Sequence, residues 1–178
     1  MSDKLFAGYF WGSIASLVGG GVFLFGFAGR IDWLPAWGVL GVNAFMMAAM
    51  GFVIFRRYPD LAAERLSPPK DAKRWDIAIN SGIRLIQLAR YIVAGLDQRF
   101  GWTGGFPVGI QIAALAISFL GYCIIPWAVA NNKFFSQIVR IQTDRGHSVA
   151  TSGPYHFVRH PSYLGMIAFE LAVPIMLA

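Results

Sequence analysis

The sequence predicts an all-α polytopic transmembrane helix bundle, four spans plus a truncated fifth, from three observations. Of its 178 residues, 56% are hydrophobic and only 13% are charged, whereas a soluble domain carries about 25% charged residues. Stretches 5–29, 33–55 and 100–132 contain no Asp, Glu, Lys or Arg, and each exceeds the ~18–20 residues needed to cross hydrocarbon. Two further apolar runs, 77–96 and 161–178, complete the pattern. The reading is a single membrane domain, 1–178, with spans at 7–29, 35–55, 77–96, 107–130 and 161–178 and a polar loop at 131–163.

The first apolar run begins almost at the amino terminus. Its 25 uncharged residues, Leu5 to Gly29, exceed the ~7–15 of a signal-peptide core, so it reads as a retained anchor. Gly8, Gly12, Ser16 and Gly20 recur every fourth residue, a small-residue ridge that lets a second helix approach closely in lipid. The second span opens at Pro35, a residue suited to a first helical turn, and runs into Arg56 and Arg57. Those arginines mark a cytoplasmic end. Residues 56–76 mix basic and acidic side chains around a Ser-Pro-Pro breaker, which reads as a loop with a short interfacial helix.

Residues 77–96 are ambiguous, because Arg84 and Arg90 interrupt the apolar run. Asn80, Arg84, Gln87 and Tyr91 fall on one helical stripe, with Arg90 at its border. A segment lying flat would deliver Lys133, Arg140, Arg145 and Arg159 to the side opposite Arg56–Arg74, against the positive-inside bias. A spanning segment puts both basic regions on the cytoplasmic side and leaves Arg30 and Arg99 outside, so 77–96 is expected to span with its polar stripe facing the bundle. Its arginines then need partners. Glu170, inside the last apolar run, is one such partner for Arg84 or Arg90 and equally a functional candidate.

The span at 107–130 contains Pro126, a kink position, and Cys123, a buried inert thiol. The net charge of +6 is spread over loops flanking the spans, as the orientation bias requires, and does not point to nucleic acid. From Tyr163 to Ala178 only 16 residues remain, about 24 Å of helix and short for a crossing.

The loop 131–163 is richest in polar chemistry. Pro161 suits the first position of a helix, placing His160 at its cap. The first-turn N–H groups, with Arg159 beside them, would form an anion site. Gly146 and the Gly153-Pro154 pair are turn signals that fold the preceding strand-like segment back over the helix start. The same histidines and tyrosines also suit plain interfacial anchoring, and from physics alone the two readings weigh evenly. Zinc is a weaker reading, because His147, His156 and His160 lack acidic or cysteine ligands at recognised spacings, and no metal is expected.

The stretch "HSVATSGPYHFVRHPSYLG", residues 147–165, resembles the signature of integral-membrane methyltransferases of the isoprenylcysteine carboxyl methyltransferase and phospholipid methyltransferase group. "AGLDQRFGW" (94–102) and "NKFFSQIVRIQTDRGH" (132–147) are similar to bacterial members, so the resemblance covers roughly 58–178. It implies S-adenosyl-L-methionine as cofactor and a lipid-like or small amphipathic methyl acceptor, carboxylate or amine, entering from the bilayer. Carried over by position, the cofactor contacts are Gln142, His147, Ser148, Val149, Ala150, Tyr155, His160, Pro161, Ser162 and Tyr163, with Arg159 as a catalytic candidate. It also implies an integral protein of a bacterial inner membrane, with the N-terminus and cofactor loop cytoplasmic.

Members of the group continue with a cytoplasmic tail bearing an acidic cofactor contact and an arginine near the acceptor; here the chain stops at Ala178. A fragment of a longer enzyme is the favoured expectation, ahead of a chain completed by another and of a short relative without activity. A homodimer or a complementing chain would restore the missing packing. Two rivals stand beside this reading: an NADPH-dependent membrane sterol-type reductase, and a non-enzymatic scaffold or lipid-binding subunit whose polar edge serves only anchoring.

Overall fold

The computed structural model describes residues 2–66, 73–135 and 148–178, and all regular structure among them is helical. Six α-helices follow in order: α1 Ser2–Ala28, α2 Leu34–Arg57, α3 Pro59–Leu66, α4 Arg74–Phe100, α5 Val108–Ala130 and α6 Pro161–Leu177. A 3-10 turn, Gly153–His156, precedes α6. Three helices among the described residues, α1 (from Asp3), α2 and α5, are long and apolar enough to cross a membrane. The chain is an integral membrane protein on that ground.

Local chemistry sets the helix ends. α2 carries Pro35 in its first turn and Arg56 and Arg57 in its last, where cations meet the negative end of the helix dipole. α4 stops at Gly101, whose φ of 67° is the left-handed cap glycine favours. Just before it, buried Asp97 accepts hydrogen bonds from Thr103 N (2.8 Å) and Thr103 Oγ1 (2.7 Å), fixing the turn that follows. The short helix expected after the second span is α3.

Side-chain pairings give the topology. Tyr9 Oη of α1 donates to Met47 O of α2 at 2.6 Å while Gly20 faces Leu40, so α1 and α2 run antiparallel. Gly20 meets Tyr91 and Leu24 meets Gly95, so α4 lies alongside α1 in the same direction. Phe45 packs on Phe119 with ring centroids 4.7 Å apart, and Arg57 reaches Ala130, so α5 runs parallel to α2. α6 returns antiparallel to α5. Their closest crossing is at Gly121 and Gly165, where neither position has room for a Cβ.

Successive long helices therefore alternate in direction. α4 has the length, about 40 Å for 27 residues, and the direction of a crossing helix, although its arginines keep its hydropathy below that of the three apolar helices. The core between helices contains Leu24, Val39, Ile54, Val129, Phe169 and Val173, all essentially inaccessible. α6 is short, yet its end reaches the far side of α5, where Gln111 Nε2 donates to Ala178 O at 3.0 Å.

One end of the bundle gathers the start of α1, the α2–α3 junction, the start of α4, the end of α5, the 3-10 turn and the start of α6. Arg56, Arg57, Lys73, Arg74, Lys133 and Arg159 lie there. At the opposite end, Arg30 is neutralised by a bidentate pair with Asp32 (2.7 Å each) and Arg99 lies against Gly29.

Candidate functional site

The basic end is built outward from the last carbonyl of α5. Ala130 O accepts hydrogen bonds from Arg57 Nη1 (3.2 Å) and Tyr58 Oη (3.0 Å), tying the end of α2 to the end of α5. The next two residues hold the turn. Asn131 Nδ2 donates back to Trp127 O at 2.8 Å, and Asn131 Oδ1 accepts from Ser152 Oγ at 3.5 Å. Gly153 has φ of 59°, and a Cβ there would lie 2.6 Å from Asn131 Nδ2, so conformation and space both demand glycine. Asn132 Nδ2 donates to Tyr155 Oη at 3.2 Å. Burial pushes the Tyr155 phenol above its ordinary range, and the Asn132 hydrogen bond works against that shift.

Helix α6 then starts at Pro161, as its sequence predicts, with His160 at the cap position. Two details differ from expectation. The His160 side chain makes no cap bond, and its backbone carbonyl instead takes the N–H groups of Tyr163 (3.1 Å) and Leu164 (3.3 Å). The anion site at this helix start thus narrows to the Ser162 N–H, with Arg159 exposed beside it. The segment before α6, expected to be strand-like, holds the 3-10 turn, because Pro154 fixes its φ and the N–H groups of Tyr155 and Phe157 find partners three residues back.

The candidate contacts divide by burial. His160 and Tyr163 stack with ring centroids 5.4 Å apart at 20°, forming an exposed aromatic shelf beside Arg159 and His156. Ser148 and Val149 are exposed, while Ala150 and Tyr155 are half-buried. Pro161 and Ser162 turn their side chains into the protein, so backbone is what they offer. Gln142 and His147 lie outside the described residues. No group of three His, Cys, Asp or Glu side chains suited to a metal occurs among the described residues.

Glu170 lies deeper, between α6 and α4. One carboxylate oxygen pairs with Arg90 Nη1, and the other accepts from Gln87 Nε2 at 2.9 Å. The Arg90 guanidinium also lies over Tyr91 and Phe169, and Phe169 stacks on Tyr122 at 3.8 Å. Of the two arginines weighed as partners, Arg90 takes this role and Arg84 stays exposed. An apolar groove between α2 and α5, lined by Gly38, Gly41, Val42, Leu115 and Phe119, sits toward the opposite end and holds no polar chemistry. Asn131, Asn132, Arg57 and Tyr58 escape the sequence reading. Their one signal is an Asn-Asn pair directly behind an apolar span.

A polar, aromatic cradle at the basic end of a membrane bundle defines the class: an all-helical integral membrane protein with a candidate small-ligand site at one bilayer face. Residues 113–178 match the model of the isoprenylcysteine carboxyl methyltransferase (ICMT) family, bearing out the resemblance carried by the sequence motif. Protein-S-isoprenylcysteine O-methyltransferase B of Arabidopsis thaliana is 27% identical over 99 residues, 52% of this chain and 46% of that protein. The chain thus spans about half the length of the curated relative it matches. No solved structure matches it.

Proposed function

We propose that the chain is the cofactor-binding part of a membrane methyltransferase that transfers the methyl group of S-adenosylmethionine to a lipid-like or small amphipathic acceptor. The observation that carries this reading is the coincidence of the family match, residues 113–178, with the only segment that builds a cradle among the described residues: the end of α5, the 3-10 turn and the start of α6. The residues fit such a cofactor in kind. A stacked His160–Tyr163 pair offers a shelf for a purine, and Arg159 with the Ser162 N–H offers donors to a carboxylate.

The cofactor supplies an electrophilic methyl on a sulfonium. The chain's contribution is positional. Gly153, Asn131 and Asn132 fix the turn, Tyr155 is held by Asn132, and the aromatic shelf orients what stacks on it. A carboxylate acceptor already has a lone pair and needs no general base, so proximity and exclusion of water suffice. An amine acceptor would have to be neutral, and His160 is then the base candidate in the shelf.

In this reading α1, α2, α4 and α5 span the bilayer, α6 forms the fifth crossing, and the basic end faces the cytoplasm of a bacterial inner membrane. A second copy or a complementing chain supplies what the curated relative has beyond the matched length. The test is methyl transfer: membranes containing the chain, incubated with methyl-labelled S-adenosylmethionine, should label extractable lipid. Label equal to that of membranes carrying Gly153→Val would reject catalysis by this chain.

A further inference from the structure

The polar stripe of α4 is only half used. Asn80, Arg84, Gln87 and Tyr91 share one face at spacings of four, three and four. The upper half meets the bundle, where Gln87 bonds Glu170 of α6 and Tyr91 packs at Gly20 of α1. Asn80 and Arg84 lie on that same inward face, yet both are exposed. The facing side of α6 behaves likewise. Tyr163 is seven residues, two turns, before Glu170 and is 59% exposed, and neighbouring Ile167 is 56% exposed. Between the Gln87–Glu170–Arg90 cluster and the basic end, α4 and α6 therefore stand apart. The gap is a cleft roofed by that cluster and continuous, through Tyr163, with the His160–Tyr163 shelf.

Arg84 lies ten residues beyond Arg74, about 15 Å along α4 and well inside the bilayer depth of a crossing helix. It has no hydrogen bond or ion pair among the described residues. Glu170, the acid within its helix-to-helix reach, is already taken by Arg90 and Gln87. An unpaired guanidinium at that depth is costly and calls for an anion. The cleft walls beside it, Ile83, Leu164 and Ile167, are exposed and apolar. One cation set among apolar walls beside lipid complements a single kind of molecule, an amphiphile with an anionic head and a hydrocarbon tail.

We infer that the α4–α6 cleft binds an anionic amphiphile, its head on Arg84 and its tail along Ile83 and Ile167, and that this is the entry site of the methyl acceptor. The second clause rests on the methyltransferase reading; the binding site itself does not. A carboxylate and a phosphate head both fit the fork of Arg84.

The test uses the full chain in nanodiscs of zwitterionic lipid, with a diazirine-bearing palmitic acid as probe, its methyl ester as the uncharged control and lysophosphatidic acid as competitor. The acid should label peptides of α4 and α6, and Arg84→Gln should weaken its apparent affinity about tenfold. Arg84→Lys should retain most of it, and Ile167→Trp, which fills the cleft, should block labelling. Tighter retention of the fatty acid or of lysophosphatidic acid identifies the head group, and either supports the site. Labelling unchanged by Arg84→Gln and Ile167→Trp, or equal labelling by the ester, would overturn it. So would efficient cross-linking of α4 to a second copy without probe labelling, because the cleft would then be a protein interface. S-adenosylhomocysteine binding measured in the same discs separates the two proposals. Arg84-dependent labelling without it leaves the cleft standing and removes methyl transfer, whereas nucleoside binding with Arg84-independent labelling does the reverse.

Discussion

Gly165→Ala isolates the contact on which the position of α6 depends. A Cβ at 165 would overlap the Gly121 carbonyl oxygen and lie 3.2 Å from Ile125 Cγ1 and 3.3 Å from Gly121 C. The obstruction is backbone, which cannot rotate away, so α5 and α6 must separate. Overpacking of this kind costs about 1–3 kcal/mol, and a gap of 0.5–1 Å forfeits roughly a quarter to a half of each dispersion contact along the seam. Alanine's better helix propensity returns only about 0.5–1 kcal/mol. The net expectation is a loss of about 1–2 kcal/mol, or roughly 2–8 °C at about 2–4 °C per kcal/mol for a chain of this size. Gly8→Ala is the matched control. A Cβ there meets nothing within 4 Å, so only the propensity gain remains and the melting temperature should rise slightly. Thermal unfolding in a mild detergent, followed by circular dichroism, reads both. A Gly165→Ala protein as stable as the parent, or a Gly8→Ala protein equally damaged, would refute the close-crossing account.

Other expectations follow from the same geometry. Glu170→Gln removes the charge partner of Arg90 between α4 and α6, and should cost about 1–3 kcal/mol, between the modest interhelical hydrogen bonds of membranes and the breaking of a buried pair; unfolding in graded denaturing detergent measures it, and an unchanged midpoint would contradict it. Asp32→Asn should leave the melting temperature unchanged, because its pair with Arg30 is fully exposed and screened. Tyr155, with its folded pKa above the ordinary 10.0, binds its proton more tightly folded than unfolded. Its stabilising contribution is therefore complete below about pH 10 and lost as pH rises through the folded value. Comparing the alkaline unfolding of the parent with that of Tyr155→Phe checks the sign. Asn132→Ala removes the donor that lowers this pKa and should move the phenol's titration to still higher pH.

Charge-free runs longer than a bilayer made the apolar helices legible, and the position of α6 followed from a proline at its first turn. The polar stripe of α4 was visible too, and its orientation along α1 matches the direction that the positive-inside count requires. Helix contacts were less legible. The glycine ridge of α1 contributes one intimate contact, at Gly20, while Gly8 and Gly12 face open space. The tightest crossing joins Gly121 and Gly165, single glycines on two helices with no period to announce them. Their meeting is a tertiary fact. For the same reason the choice of Arg90 over Arg84 for Glu170 could not be read from spacing, since both lie on adjacent turns of one helix. The asparagines that hold the cradle make short-range bonds to a segment about twenty residues away, and only the fold brings them together.

Calorimetric titration of the purified chain with S-adenosylhomocysteine, with NADPH as a comparison and His160→Ala as a variant, tests the central claim most directly. Saturable binding of S-adenosylhomocysteine, absent for NADPH and weakened by the loss of the His160–Tyr163 shelf, is the predicted result. No binding of S-adenosylhomocysteine, or binding indifferent to His160→Ala, would contradict a cofactor cradle at the start of α6.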